Sequence, residues 1–216
     1  MKKNIAALFP GQGSQQVGMS KVLIENFPWT KDIFEEASDA VRDNLIRLCS
    51  DGPSDTLQLT QNAQPCILTV SFAWFKVLQK TFDFHPTAGA GHSLGEYTAL
   101  LASGAVSLGE VVRLVRKRGE LMQSAVPAGK GKMAAVLGLS DEKVEELCKA
   151  ASEGEGSLVV PANFNAPSQV VIAGHAEAVD RAKALTCDPK HPEWKARKVI
   201  TLNVSAPFHC PLMKKV

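Results

Sequence analysis

Ser93 stands at the centre of Gly91-His92-Ser93-Leu94-Gly95, between a stretch from Thr87 to Gly91 that reads as a strand and one from Leu94 to Ser103 that reads as a helix ending at Gly104. Few local patterns constrain a chain more. A strand that turns sharply into a helix needs glycines where a Cβ would clash, and the serine then projects at the helix N-terminus, where backbone N–H groups can stabilise an oxyanion. Such an elbow belongs to α/β architecture. By chance the pattern would turn up in about one chain in fifteen of this length, so its surroundings must carry the argument.

The surroundings read as an α/β layer. Asn4 to Phe9 is a strand, followed by the loop Phe9-Pro10-Gly11-Gln12-Gly13-Ser14-Gln15. Ile33 to Leu48 has the spacing of an amphipathic helix, with Ile33, Ala37, Val41 and Leu45 on one face, and Asp51-Gly52-Pro53-Ser54 breaks it. Pro65 suits the first turn of a helix running to about Lys80 that is apolar nearly all round and therefore buried. Ser107 and Glu110 form a capping box for the next helix. From Met133 the order becomes βαββαβ: strands Met133–Leu137, Ser157–Phe164, Gln169–Ala173 and Arg197–Val204, with helices Asp141–Ala151 and Ala176–Leu185. That is the ferredoxin-like split motif. The organisation expected is a large domain over 1–127, an inserted ferredoxin-like small domain over 128–204, and a return to the large domain over 205–216.

The helix after the elbow bears on substrate choice. At about 100° per residue Val111, Leu114, Val115, Leu121 and Met122 fall together, with Arg118 among them, while Arg113, Arg116, Lys117 and Glu120 point elsewhere. A guanidinium on an apolar face needs an anion, and its planar fork matches a carboxylate. That anion is either an internal Asp or Glu, or a ligand. Among the histidines, His85 and His191 precede prolines and His175 follows Gly174, which marks them as loop residues. His92 either shapes the elbow or reaches the site beside it.

With 216 residues, 45% of them hydrophobic, the chain can bury a real core as one large or two modest domains. Lys plus Arg number 24 against 22 for Asp plus Glu, and the net charge of +2 gives no reason to expect nucleic acid as a partner. The apolar stretch after Lys2 and Lys3 ends at Pro10-Gly11, too short for a signal peptide, and no span approaches a membrane helix; the expected location is the cytoplasm. Cys49, Cys66, Cys148, Cys187 and Cys210 are odd in number and lack a C-x-x-C pair, which argues against a disulfide framework or a zinc site. Cys210 is a competing nucleophile only on paper, because Ser93 has the elbow.

Three separated motifs, Phe9-Pro10-Gly11-Gln12-Gly13-Ser14-Gln15, Gly91-His92-Ser93-Leu94-Gly95-Glu96 and Ser205-Ala206-Pro207-Phe208-His209, occur in the order found in the malonyl-CoA:acyl-carrier-protein transacylases. The chain resembles that family through nearly all its length, including Arg118-Gly119 and Asn163-Phe164-Asn165. The resemblance implies an α/β-hydrolase-like large domain with a parallel sheet, Ser93 as nucleophile and His209 as general base. It implies oxyanion donors from the backbone N–H of Gln12 and Leu94, and Arg118 as holder of the malonyl carboxylate. Gln64 matches a segment near the pocket, with a role at the helix start as the alternative. Leu94 and Phe208 resemble the malonyl-type rather than the methylmalonyl-type versions in related polyketide acyltransferases. Coenzyme A would deliver the acyl group and acyl carrier protein would take it away, with no metal or redox cofactor. The family continues well beyond its histidine segment, so the chain is expected to be truncated there and its sheet incomplete. A serine esterase or thioesterase is the competing enzyme class, but it needs an acid between serine and histidine, and Asp180 and Asp188 are poorly placed in a helix and a loop. A non-catalytic fragment is the third reading.

Overall fold

The computed structural model describes residues 4–127, 129–154, 156–202, 204 and 206–214; Lys2, Lys3, Ala128, Asn203 and Ser205, on which expectations above fall, lie outside the described residues. Contacts divide the chain into a first unit, Met1–Glu120, and a second, Leu121–Val216.

The first unit contains β1 (Ala6–Phe9), α1 (Lys21–Asn26), α2 (Lys31–Val41), α3 (Leu45–Asp51), α4 (Ser54–Gln58), α5 (Thr60–Phe82), β2 (Ala88–Gly91) and α6 (Leu94–Ala102), and most of α7 (Leu108–Ser124). β1 and β2 pair in parallel, Ala6 with Ala88 through Phe9 with Gly91, so the loops that follow them leave from the same edge of the sheet. Helix α5 forms the middle of the core, its Ile67, Leu68 and Val77 buried among residues of α1, α2, α3, α6 and α7. Its outer residues Trp74, Leu78 and Phe82 are exposed, so the helix is not buried all round.

Two expectations change. The single helix over 33–48 is two helices, because Arg42 takes a left-handed conformation (φ 52°) and Asn44 caps α3 by accepting from the Arg47 N–H at 2.9 Å. The helix expected to open near Pro65 opens at Thr60, leaving Pro65 inside it. Half of the expected capping box forms: the Ser107 N–H and hydroxyl both donate to the Glu110 carboxylate.

The second unit holds β3 (Gly131–Leu137), α8 (Asp141–Ala151), β4 (Val159–Ala166), β5 (Gln169–His175), α9 (Ala176–Leu185) and β6 (Lys198–Thr201). All its strand pairs are antiparallel and the sheet order is β4-β5-β3-β6. Alternation places Ala134 and Val136 against Leu147, Val179 and Ala182 of the two helices, and sends Met133 and Ala135 to the opposite face. That second face is covered by Ala206, Phe208 and Cys210, so the segment after β6 packs back on the sheet it has just left.

Candidate active site

The elbow is built by close approach of backbone. A Cβ at Gly91 would lie 1.8 Å from the Gly95 carbonyl carbon, and one at Gly95 would lie 2.1 Å from the Phe9 oxygen. Only glycine allows strand β2, helix α6 and the end of β1 to meet there. Between them Ser93 sits at φ 51°, ψ −106°, a region that costs a non-glycine residue on the order of 1–3 kcal/mol and persists only where surroundings impose it. The imposing contacts are the His92 N–H donating to the Phe9 oxygen (3.1 Å) and the Gly95 N–H donating to the His92 oxygen (2.9 Å). His92 therefore shapes the turn through its main chain, with its imidazole exposed beside Gly11.

Leu94 is the first residue of α6, where backbone N–H groups have no acceptor within the helix, and its side chain is fully buried. Gln12 sits in the turn that follows β1, and its side-chain amide donates to Thr60 Oγ1 at 3.2 Å, tying that turn to the start of α5. With the side chain so used, the main chain of Gln12 remains its candidate contribution.

Arg118 arrives from α7. Its Nη1 donates to Gln64 Oε1 at 2.7 Å and its Nη2 to Ser93 Oγ at 3.1 Å, while the guanidinium lies 5.4 Å from the centre of the Tyr97 ring. Gln64 has no exposed surface, so Arg118 is held against a side chain that cannot swing into solvent. Burial pushes the Arg118 guanidinium below its ordinary value, and Tyr97 and Glu96 oppose that shift. An arginine remains a cation through any such change at neutral pH. The site thus presents a fixed positive fork next to the nucleophile oxygen.

The buried face of α7 is rotated from the one expected. Val112 is fully buried and Leu114 is 53% exposed. An ion pair of the kind weighed for Arg118 is made by Arg116, whose Nη2 donates to Asp43 Oδ2 at 2.6 Å, with the carboxylate half exposed rather than internal. Gln64 lies inside α5, four residues past its first, and so is not a helix-start residue. Tyr97 escaped the sequence reading, although its place four residues after Ser93 puts it on the same face of α6.

Ser93, Leu94, Gln12, Gln64, His92 and Arg118 all belong to the first unit. Phe208 and His209 belong to the second. His209 is exposed with φ 56°, and Phe208 is buried among Met133, Ala135 and Val171. Cys210 donates its Sγ–H to the Pro207 oxygen at 2.9 Å, and burial raises its thiol, the opposite of what a nucleophile needs. Among the described residues no group of three His, Cys, Asp or Glu side chains could hold a metal ion, and no helix is long and apolar enough to cross a membrane.

A family model described as an acyl transferase domain matches residues 7–215. The chain is 46% identical over 209 residues to the malonyl CoA-acyl carrier protein transacylase of Escherichia coli (strain K12), a match covering 97% of this chain and 65% of that protein. It thus spans about 65% of the length of this curated relative. The fold is similar to the crystal structure of an acyl carrier protein S-malonyltransferase from Vibrio cholerae, with a TM-score of 0.91, 45% identity, and coverage of 99% of this chain and 67% of that one. It is also similar to a malonyl-transacylase solved in complex with a type II PKS acyl-carrier protein, with a TM-score of 0.90, 42% identity, and coverage of 98% and 66%.

Proposed function

Because this chain belongs to the acyl transferase domain family, we propose that it carries malonyl groups from malonyl-CoA to the phosphopantetheine thiol of an acyl carrier protein, as a step of fatty-acid biosynthesis. The observation that carries this reading is the guanidinium of Arg118, locked by Gln64 and 3.1 Å from Ser93 Oγ. A hydrolase of simple esters has no use for a half-buried cation there. An enzyme that must hold the free carboxylate of a diacid does.

In the proposed reaction His209 takes the Ser93 proton as Oγ attacks the thioester carbonyl. The oxyanion that forms is met by the backbone N–H groups of Leu94 and Gln12. The C–S bond then breaks, and His209 returns the proton to the sulfur of coenzyme A. Arg118 binds the malonyl carboxylate throughout, holding the acyl group on Ser93 until the carrier's thiol attacks and the same steps run in reverse. Coenzyme A enters as part of the substrate, and no resident cofactor or metal is invoked. Leu94 and Phe208 contribute to acyl selectivity, Leu94 beside the nucleophile and Phe208 by fixing the segment that bears His209.

We read the first unit as an α/β-hydrolase-like domain, supported by the parallel β1–β2 pair and the strained elbow. The second unit's antiparallel order supports the ferredoxin-like description of 128–204. Residues 205–216 are assigned to the large domain on the resemblance alone. The cytoplasm is the proposed location. A Ser-His-Asp hydrolase is disfavoured because Asp180 pairs with Lys132 at 2.6 Å and Asp188 accepts from the Lys190 N–H at 2.9 Å.

Incubating the intact natural polypeptide with malonyl-CoA should give a malonyl ester on the Ser93 peptide, passed to holo carrier protein and absent in Ser93→Ala. Steady release of free malonate instead would mark a hydrolase, an adduct on Cys210 would refute the nucleophile, and no adduct would leave the site non-catalytic.

A further inference from the structure

We propose that Arg116 is a positioning residue for the Arg118 clamp, a reading that rests on Arg118 being the group that binds the substrate carboxylate. Helices α5 and α7 meet at Gly119, where an added Cβ would lie 2.5 Å from Gln61 Cα and 2.8 Å from the Thr60 oxygen. Such a contact brings the helix axes close, but with no side chain from Gly119 it does little to stop one helix turning against the other. The shared apolar core, with Ala63 and Ile67 of α5 and Val111, Val112 and Val115 of α7, holds the two helices together, and at the glycine crossing two guanidinium–amide pairs add a directional restraint. Arg116 Nη1 donates to Asn62 Oδ1, and Arg118 Nη1 donates to Gln64 Oε1.

At about 100° per residue, Arg116 and Arg118 project to opposite sides of the line through Gly119, and Asn62 and Gln64 to opposite sides of the line through Gln61. The two pairs therefore brace the crossing from both flanks. The Arg118 flank faces Ser93. The Arg116 flank faces away from it and is anchored twice more: Arg116 Nη2 donates to Asp43 Oδ2 at 2.6 Å, and Asn62 Nδ2 donates to the Thr56 oxygen at 2.8 Å. The Arg116 side chain is 15% exposed and the Asp43 side chain 46%, so the carboxylate side of this pair meets solvent and the enclosed part of the brace is Arg116 with the buried Asn62.

If the Arg116 flank is released, the first turn of α5 loses one of its two polar braces and can turn slightly about the glycine contact, while the rest of the helix stays in the core. At the radius of a side-chain end, about 5–6 Å from the helix axis, a rotation of about 10° moves Gln64 Oε1 by roughly 1 Å. Arg118 Nη1 follows it, and a misplacement of about 1 Å at a binding group is enough to cost on the order of 10²-fold in rate. In this chain of contacts only Arg118 is assigned to substrate. Arg116 acts only through Gln64 and Arg118, so any change it makes at Ser93 Oγ is shared by all substrates, and its effect on the malonyl-to-acetyl ratio should require Arg118.

The test is a double-mutant cycle in the intact natural polypeptide, with kcat and KM measured for malonyl-CoA and acetyl-CoA and holo carrier protein as acceptor. Arg116→Ala should raise KM for malonyl-CoA and lower its kcat/KM by about tenfold or more, with acetyl-CoA changed less than about threefold. Arg116→Lys, which keeps a cation against Asp43 but loses the fork, should fall between and guards against an alanine variant that does not fold. Labelling of Ser93 by phenylmethylsulfonyl fluoride, which senses the Arg118 bond to Ser93 Oγ but not a carboxylate, should change in both by no more than turnover of acetyl-CoA does, less than about threefold. In an Arg118→Ala background, Arg116→Ala should produce no further change in the malonyl-to-acetyl ratio. A parental ratio in both Arg116 variants, or an undiminished effect in the Arg118→Ala background, would overturn this proposal alone. A parent enzyme with no preference for malonyl over acetyl would overturn it together with the carboxylate role of Arg118.

Discussion

Replacing Arg118 with alanine should abolish most of the preference for a diacid, and the structure sets the scale. Before substrate arrives the guanidinium already has two acceptors, Gln64 Oε1 and Ser93 Oγ. An acetyl thioester therefore meets a satisfied cation rather than an orphaned one. Discrimination must come from what malonyl adds, a carboxylate accepting charge-assisted hydrogen bonds worth about 1.5–3 kcal/mol, which corresponds to about 10- to 150-fold. The lost donor to Ser93 Oγ affects both substrates alike and cancels in a ratio. Measured as kcat/KM for the two thioesters in the intact natural polypeptide, the malonyl-to-acetyl ratio should drop by that factor, mostly through malonyl. The variant should also lose some stability, since the buried Gln64 oxygen gives up this donor at a cost of about 1–3 kcal/mol. Arg118→Lys should recover little, because an ammonium cannot present two parallel donors to Gln64 and to a carboxylate. An unaltered ratio in Arg118→Ala would refute the reasoning and reduce Arg118 to a brace between α5, α6 and α7.

His209→Ala should slow malonyl transfer by about 10²–10⁴-fold while circular dichroism stays near that of the parent, and unchanged turnover would move the search for the base to His92. Gly95→Ala places a Cβ against the Phe9 carbonyl, so a melting temperature within about 2 °C of the parent would show that the elbow is far softer than its geometry indicates. Native-state alkylation with iodoacetamide at pH 8 should modify the exposed Cys187 first. Cys66, and then burial, push the Cys49 thiol up, and burial pushes Cys148 up to about 12; faster modification of either would contradict their enclosure.

Local chemistry decided what could be read from the residues. The elbow was legible because its glycines are required by contacts within a few residues of Ser93, and α8 because Ser140 caps it and apolar residues recur at helical spacing. The break between α2 and α3 was hidden, since the left-handed position is filled by Arg42 and no glycine or proline marks it. The start of α5 was equally unmarked: Leu59 is its N-cap and offers no side-chain acceptor, whereas Pro65 imitates a helix opening from inside the helix. For Arg118 the sequence raised two possibilities, an internal ion pair and a ligand. The structure gives a half-exposed ion pair to Arg116, whose partners Asn62 and Asp43 lie 54 and 73 residues away, a separation at which no periodicity carries information.

The parallel pairing of β1 with β2 has a consequence for how the site comes into being. The hydrogen bond from Thr87 to Ile5 closes a separation of 82 residues, and α1 to α5 lie within that loop. Helices form locally and fast, whereas so distant a strand pair must await the collapse that brings its halves together. Until it forms, Phe9 cannot hold His92, and Ser93 has no reason to remain in its strained conformation. In a refolding experiment the far-ultraviolet signal should therefore recover before Ser93 becomes reactive toward a fluorophosphonate, and simultaneous recovery would mean that the elbow is encoded locally. The order matters for quality control: a chain with its helices in place and its strands unpaired is structured, yet chemically silent.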